Sequence, residues 1–370
     1  MTRRPLRIAL LASSSYPIRQ PFPGGLEAHV WSLARTLGSD GHRVTLFAGP
    51  GSDPGLGCEH LRVRTLDLSP TARSDTSMPS LQFMHAHHAY LQLMLDLATP
   101  LADDFDVIHN HSLHYLPVAM AATLPTPLVS TLHTPPTPWL ESAIAASARL
   151  PRFVAVSRHT AAAWAHLVPD IDVIPNGVDL HRWPQGHGGD HVIWFGRLVP
   201  EKGPHLAIEA ARRAGLPIVL AGPISDTTYF QTMIAPSLGG MVTYLGHLSQ
   251  PDLAAAIGAA GAAVVTPVWD EPYGLVVAEA LACGTPVAAF ARGGIPEIVD
   301  TRCGRLVPGG DVAALAAALS ETMGLSRTAA RTRARTHCAE RPMVDAYTSL
   351  YRSLAAPADP PDLLPREETA

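Results

Sequence analysis

Short apolar runs recur along the chain, each followed by a longer Ala- and Leu-rich stretch with helical periodicity. That alternation marks β/α/β units, in which helices cover a parallel sheet. In the first half the pattern predicts strands over Arg7–Leu11, Arg43–Ala48, Val107–His109, Leu128–Leu132, Phe153–Val156 and Asp172–Ile174. Helices are expected over Leu26–Gly38, Met84–Leu97, Pro138–Ala148 and Arg158–Leu167. The turn Pro175-Asn176-Gly177 and the glycine-rich stretch Pro184–Asp190 then interrupt the alternation.

It restarts beyond them. Strands are predicted over His191–Phe195, Pro217–Ala221, Met241–Leu245, Ala262–Val265 and Pro286–Phe290, with helices over Pro204–Ala214, Gln250–Ala259 and Tyr273–Cys283. The expectation is an α/β chain of two Rossmann-like β/α/β domains facing across a cleft, over residues 1–180 and 181–341. Ligands of parallel sheets sit beyond the carboxyl ends of the strands, so functional residues are sought there. A late run, Arg327, Arg331 and Arg335, spaces its cations four apart and reads as a solvated helix face. The Pro-, Asp- and Glu-rich tail, residues 357–370, is expected to be disordered.

Composition narrows the class. The chain has 370 residues, enough for two cores at roughly 150 residues per domain. A net charge of −5 excludes the basic surplus of a nucleic-acid binder. No apolar run is long enough to span a bilayer. Arg3 and Arg4 before Leu6–Ala12 imitate a signal peptide, but Ser13–Ser15 and Pro17 break the apolar run. A strand and loop fit better, and the expected location is cytoplasmic. The four cysteines (Cys58, Cys283, Cys303 and Cys338) are scattered, as reduced thiols would be.

Candidate chemistry gathers where strands end. Glu271 and Glu279 lie eight apart in Glu271-Pro-Tyr-Gly-Leu-Val-Val-Ala-Glu279. A wholly helical segment would separate them by about 12 Å of rise. That exceeds the roughly 5–10 Å between the carboxylates of a glycoside hydrolase. It suits the two ends of one sugar nucleotide, with the free N–H groups around Gly274, Leu275 and Val276 facing a diphosphate. Gly196-Arg197 through Lys202-Gly203 puts two cations on one loop after a strand, suited to neutralising a diphosphate. Gly24-Gly25 opens a helix after the first strand and leaves its N–H groups free for an anion. The G-x-G-x-x-G fingerprint of dinucleotide binding is absent from that loop. His109, His111 and His133 end two strands, and His133 is placed to meet a sugar hydroxyl. His85 and His88 share a helix face, but no carboxylate completes a site, so no metal is expected.

Taken in order, these pieces resemble the family 4 glycosyltransferases, which have the GT-B architecture and retain anomeric configuration. The resemblance runs from Arg7 to about Leu354. It rests on Gly24-Gly25, Asp106-Val-Ile-His-Asn-His111, Val156-Ser-Arg158, Ile174-Pro-Asn-Gly-Val-Asp179, Gly196-Arg197 through Lys202-Gly203, Glu271 through Val287, and Gly293-Gly-Ile-Pro-Glu297. It implies that Arg197 and Lys202 grip the diphosphate, Glu279 binds the ribose and Glu271 meets the donor hexose. Gly25 would touch phosphate, His133 the sugar, and the loop Gly246-His-Leu248 the nucleobase. A late helix near 342–356 would cross back onto the first domain.

The implied activity is retaining transfer of a hexosyl group from a nucleotide diphosphate sugar, expected to be UDP-linked, to an acceptor hydroxyl. No cofactor is expected beyond that co-substrate. Rival readings are a sugar-nucleotide epimerase or a phosphorylase on the same scaffold, or a non-catalytic carbohydrate-binding protein. A phosphorylase would carry pyridoxal, and a non-catalytic relative would be expected to lack Glu271 or Lys202. Acceptor loops are expected around Phe22, Ser69–Ser80 and Leu113–Leu116. They carry no readable code, so a small molecule, glycan or lipid acceptor all stay open, as does the oligomeric state.

Overall fold

The computed structural model describes residues 4–60, 66–77 and 79–356. Arg3, Met78 and the tail at 357–370 lie outside them. Two parallel sheets form. The first contains β1 (Arg7–Leu11), β2 (Arg43–Ala48), β3 (Cys58–His60), β4 (Val107–Asn110), β5 (Leu128–Leu132), β6 (Arg152–Ala155) and β7 (Asp172–Val173). Their order is β3-β2-β1-β4-β5-β6-β7. The second contains β8 (Val192–Phe195), β9 (Ile218–Ala221), β10 (Val242–Tyr244), β11 (Ala262–Val265), β12 (Val287–Phe290) and β13 (Gly304–Val307), in the order β10-β9-β8-β11-β12-β13.

Central strands are largely apolar because helices cover both faces, with buried polar residues only where β4 and β5 carry His109, Asn110, Ser130 and Thr131. In β1, Ile8 pairs with Val44 on one side and Val107 on the other, and Ile8 through Leu11 are fully buried. In both sheets the order of strand addition reverses beside the first strand, between β1 and β4 and between β8 and β11. Such switch points open a crevice for ligand at the strands' carboxyl ends. The result is the two-lobed GT-B arrangement.

The helix Glu340–Ala355 belongs to the first lobe in space. Its Met343, Val344, Tyr347 and Tyr351 are buried in one core with Leu10, Val107, Val129 and Ile174. Each fully buried large side chain contributes on the order of 2 kcal/mol. Glu340 anchors the crossing by accepting from Ser32 and from Thr36 Oγ1, at 2.9 Å for the latter. Gly177 makes the approach possible, since a Cβ there would lie 2.5 Å from Cα of Glu340.

Two points of the sequence reading need correction. The short edge strands β3 and β13 were not predicted, because Cys-Glu-His and Gly-Arg-Leu-Val lack an apolar run. As the predicted helix over Tyr273–Cys283 implied, Glu271 precedes the helix and Glu279 lies within it. Gly274, at φ 101°, precedes the helix Leu275–Ala282, so Glu271 sits in the loop before it. The helix Arg327–His337 does not present a solvated basic face. Arg327 donates to the carbonyls of Gly186, Gly258, Ala260 and Cys283 and to Thr285 Oγ1. Arg331 donates to Leu180, Trp183 and Ala282. These two arginines tie the inter-lobe segment to the second lobe, and Arg335 alone of the three is exposed.

Candidate functional site

Sheet order decides which loops meet. Strands β1, β4 and β5 are neighbours, so the segments after them bring Gly24-Gly25, His111 and His133 together. In the second lobe the neighbours β8 and β11 do the same for Gly196–Lys202 and Thr266–Gly274. The two sets face each other across a cleft of about 670 Å³. Most residues singled out from sequence line it: Gly24, Gly25 and His133 from one lobe, and Gly196, Arg197, Lys202, Leu248, Glu271, Gly274, Leu275, Val276 and Glu279 from the other, whereas His109 and His111 are buried behind that lining.

Lys202 ends a tight turn, Pro200–Lys202, followed by Gly203 at φ 63°. A Cβ on Gly203 would lie 2.2 Å from the Thr266 carbonyl oxygen, so only glycine permits this approach to the loop after β11. Thr266 Oγ1 closes it by donating to Gly203 O at 2.8 Å. Lys202 Nζ thereby reaches Glu271 Oε1 in an ion pair. Trp269 Nε1 donates to the same oxygen at 3.0 Å, and Lys202 Nζ lies 4.9 Å from the Trp269 ring centroid. Behind Glu271, Gly294 N donates to its carbonyl at 2.7 Å. Arg197 is freer, with Nη2 3.7 Å from Glu201.

Two helix N-termini complete the electropositive surround. Gly25 and Leu275 each begin a helix, where the leading amides lack intrahelical acceptors. They approach across the cleft: a Cβ on Gly25 would be 3.0 Å from Leu275 Cδ1. Glu27, one turn into the first helix, is buried, and desolvation pushes its carboxyl up while Arg197 pulls it down. Glu279 lies one turn into the second, and desolvation pushes its carboxyl up to about 8. Its carboxylate makes no side-chain hydrogen bond among the described residues, so its hydrogen-bonding capacity is left for the cleft.

The first lobe contributes uncharged rings. His133 Nε2 lies 2.9 Å from His111 Nδ1, and His111 Nε2 lies 3.1 Å from His109 Nδ1. His109 in turn meets Thr131 Oγ1 at 2.7 Å and the Tyr351 hydroxyl at 2.5 Å. His29 packs against His111 and His133 with ring centroids 5.2 and 5.3 Å away. Burial pushes His29 down to about 4 and the other three well below the usual histidine range, so all four are neutral near pH 7. Sequence reading missed His29, which sits in a helix with no motif spacing of its own. The sheet order was the available signal, since a residue one turn into the helix that follows β1 lies beside the ends of β4 and β5. Among the described residues His85 and His88 gather no third ligand, whereas His29, His111 and His133 do converge.

Bonds between the lobes account for other motifs. Ser157 Oγ and Thr160 Oγ1 donate to Pro272 O at 2.5 and 3.0 Å. Glu297 accepts from the amides of Arg158 and His159 at 3.1 and 2.8 Å. His247 Nε2 lies 2.9 Å from Phe22 O. The segments carrying Val156-Ser-Arg158 and Gly293–Glu297 are therefore a bracket that holds the cleft walls together.

Known proteins share this plan. Residues 23–182 match the family described as Glycosyltransferase Family 4, and residues 181–337 match Glycosyl transferases group 1. The phosphatidyl-myo-inositol mannosyltransferase of Mycobacterium leprae is 30% identical over 349 residues, covering 85% of this chain and 86% of that one. A glycogen synthase of Mycobacterium tuberculosis is 28% identical over 368 residues, 88% of each chain. Among solved structures, Anabaena Alr3699/HepE in complex with UDP-glucose superposes with a TM-score of 0.72 at 19% identity, covering 94% of this chain and 100% of that one.

Proposed function

The chain belongs to the family 4 glycosyltransferases, and from that premise we propose that it transfers a hexosyl group, with retention, from a UDP-linked sugar to an acceptor hydroxyl. One observation carries the reading. Two cations and two helix N-termini converge on a single cleft, flanked by Glu271 and Glu279, which suits a diphosphate with a sugar at each end. A UDP-glucose complex of a protein of the same fold supports the choice of donor.

In this reading Arg197, Lys202 and the amides of Gly25, Leu275 and Val276 surround the diphosphate. Glu279 takes the ribose hydroxyls, Leu248 borders the base, and Glu271 and His133 meet the hexose. The acceptor oxygen bonds to the anomeric carbon on the face the diphosphate leaves, and a diphosphate oxygen takes the acceptor's proton. Catalysis is then electrostatic and positional: charge building on the leaving group meets donors already in place. Glu271 is no free nucleophile, because Lys202 and Trp269 already occupy one of its oxygens. Its pairing with Lys202 keeps both side chains oriented until the donor arrives.

A thermal-shift screen across UDP-, GDP- and ADP-sugars tests the donor. A bound ligand at 100 times its Kd stabilises by about 2.7 kcal/mol. The expected result is a shift with UDP-sugars that Lys202→Ala and Arg197→Ala lose. A GDP- or ADP-sugar producing the shift instead overturns the base assignment. Anomeric proton couplings of the product then read retention or inversion directly.

A further inference from the structure

Resting on the transferase reading above, we propose that the acceptor is an uncharged saccharide of at least two units, its outer unit seated in a hollow of the first lobe beside the cleft. The hollow holds about 360 Å³ and is lined by Ser14, Ser15, Leu81, Gln82, His85 and Ala86. Ser14, Ser15 and Ala86 also line the cleft, so the two spaces adjoin. Its volume falls within the roughly 300–1,000 Å³ of small-molecule sites. An acceptor whose first unit meets the donor hexose in the cleft has room for a second unit here.

The chemistry of the lining selects the class. Ser15, Gln82 and His85 present a hydroxyl, an amide and an imidazole, all exposed and none with a side-chain hydrogen bond among the described residues. Such groups both donate and accept, as a sugar's hydroxyls require. Leu81, 51% exposed, sets an apolar face beside them, and Tyr16 and Leu113 continue it along the cleft lining. Sugar rings carry C–H faces as well as hydroxyls, and a surface of both kinds matches them. Among the described residues, the lining that segments 13–16, 81–90 and 113–114 supply contains no Asp, Glu, Lys or Arg. Burial pushes His114 down to about 4, so its ring is neutral near pH 7. A phosphate or carboxylate seated here would lose water and find no cation in return.

The hollow is built before any ligand arrives. Ser14 N donates to the Tyr90 hydroxyl at 3.0 Å, and that hydroxyl donates to Ala12 O at 2.6 Å. These bonds pin the loop after β1 to the helix Leu81–Ala98, on which Leu81 and His85, four apart, share a face. On the loop's other side Gly49 N donates to Ser13 O at 3.0 Å. A loop fixed at both sides loses little freedom on binding, which favours a neutral ligand held by few strong contacts.

The purified full chain is screened against neutral hexoses, disaccharides built from them, the 6-phosphates of the same hexoses, and octyl glucoside. Saturation-transfer NMR without nucleotide reads binding of the neutral sugars, so the hollow is tested even where no transfer occurs. Transfer from the UDP-sugar that the thermal-shift screen selects is read separately. The expected result is binding of a disaccharide, and a kcat/KM for it above that of its parent hexose. Gln82→Ala and His85→Ala should each raise the disaccharide KM by roughly 2- to 13-fold, the worth of one neutral hydrogen bond. Leu95→Ala, exposed further along the same helix, should not. Disaccharide binding without transfer would sustain the saccharide site and sink the transferase reading. Transfer that prefers a hexose 6-phosphate or octyl glucoside would do the reverse. Absence of disaccharide binding, or a KM that Gln82→Ala and His85→Ala both leave unchanged, also overturns the proposal.

Discussion

The two walls of the cleft are built on opposite electrostatic principles. The second lobe meets it with full charges, Arg197, Lys202 and Glu271, two of them already paired in the ligand-free chain. The first lobe meets it with neutral imidazoles whose protons desolvation has removed. Charge suits a diphosphate, where negative charge grows as the bond breaks. Neutral rings suit hydroxyl groups, which carry none. In the proposed reading the cleft divides its labour by polarity, leaving group on one side and sugar or acceptor hydroxyls on the other.

The sharpest way to break this contrast is to remove charge from the second lobe. Lys202→Ala and Arg197→Ala should each lower turnover by on the order of 10²-fold or more, as losing one oxyanion donor does. Steady-state transfer rates check it, and near-normal turnover in either variant would refute the division. Glu279 tests the same wall by pH. Its carboxyl, at about 8, is mostly protonated near neutrality, while ribose hydroxyls favour the ionised form. Glu279→Gln should therefore weaken donor binding by roughly 1.5–3 kcal/mol above that value and by less at lower pH. Calorimetric titrations at two pH values would show it, and an equal loss at both would contradict the assignment.

Stability gives the matching sign. A folded value of about 8 stands above the ordinary carboxyl value of 4.5, so the native state holds a proton that the unfolded chain releases. That contribution is fully present below 4.5 and is lost as pH rises through 8. The melting temperature of Glu279→Gln should therefore gain on the parent as pH increases across this window. The smallest expected effect is on the neutral wall. His133→Ala removes an uncharged hydrogen bond of about 0.5–1.5 kcal/mol, up to roughly tenfold in transfer. At saturating donor the parent's rate should show no histidine inflection near pH 6.5, because burial keeps these rings unprotonated there. An inflection there that His133→Ala abolishes would show that the ring titrates after all.

The charged wall was legible in the sequence and the neutral one only in part, for a physical reason. Arg197, Lys202, Glu271 and Glu279 lie in continuous segments after strands, where local spacing reports local geometry. The central strands were equally plain, because burial on both faces favours mostly apolar runs. His29, His111 and His133 come from three separate elements, and only the pairing of β1, β4 and β5 brings them together. Arg327 and Arg331 were misread because a four-residue period does not reveal whether a helix face meets water or a layer of carbonyl oxygens. The edge strands β3 and β13 escaped notice for the opposite reason, since half-covered strands tolerate polar residues.

The helix Glu340–Ala355 has a consequence for the order in which the molecule can be completed. Tyr347 and Tyr351 fill the first lobe's core, yet a ribosome makes them only after the entire second lobe. Until they arrive, the first lobe carries an unfilled groove along β4 and β5, and the hydroxyl that meets His109 is missing. The early half of this chain must therefore wait for the late half before its own interior closes, which makes the two lobes a single unit of synthesis although they are two units of architecture.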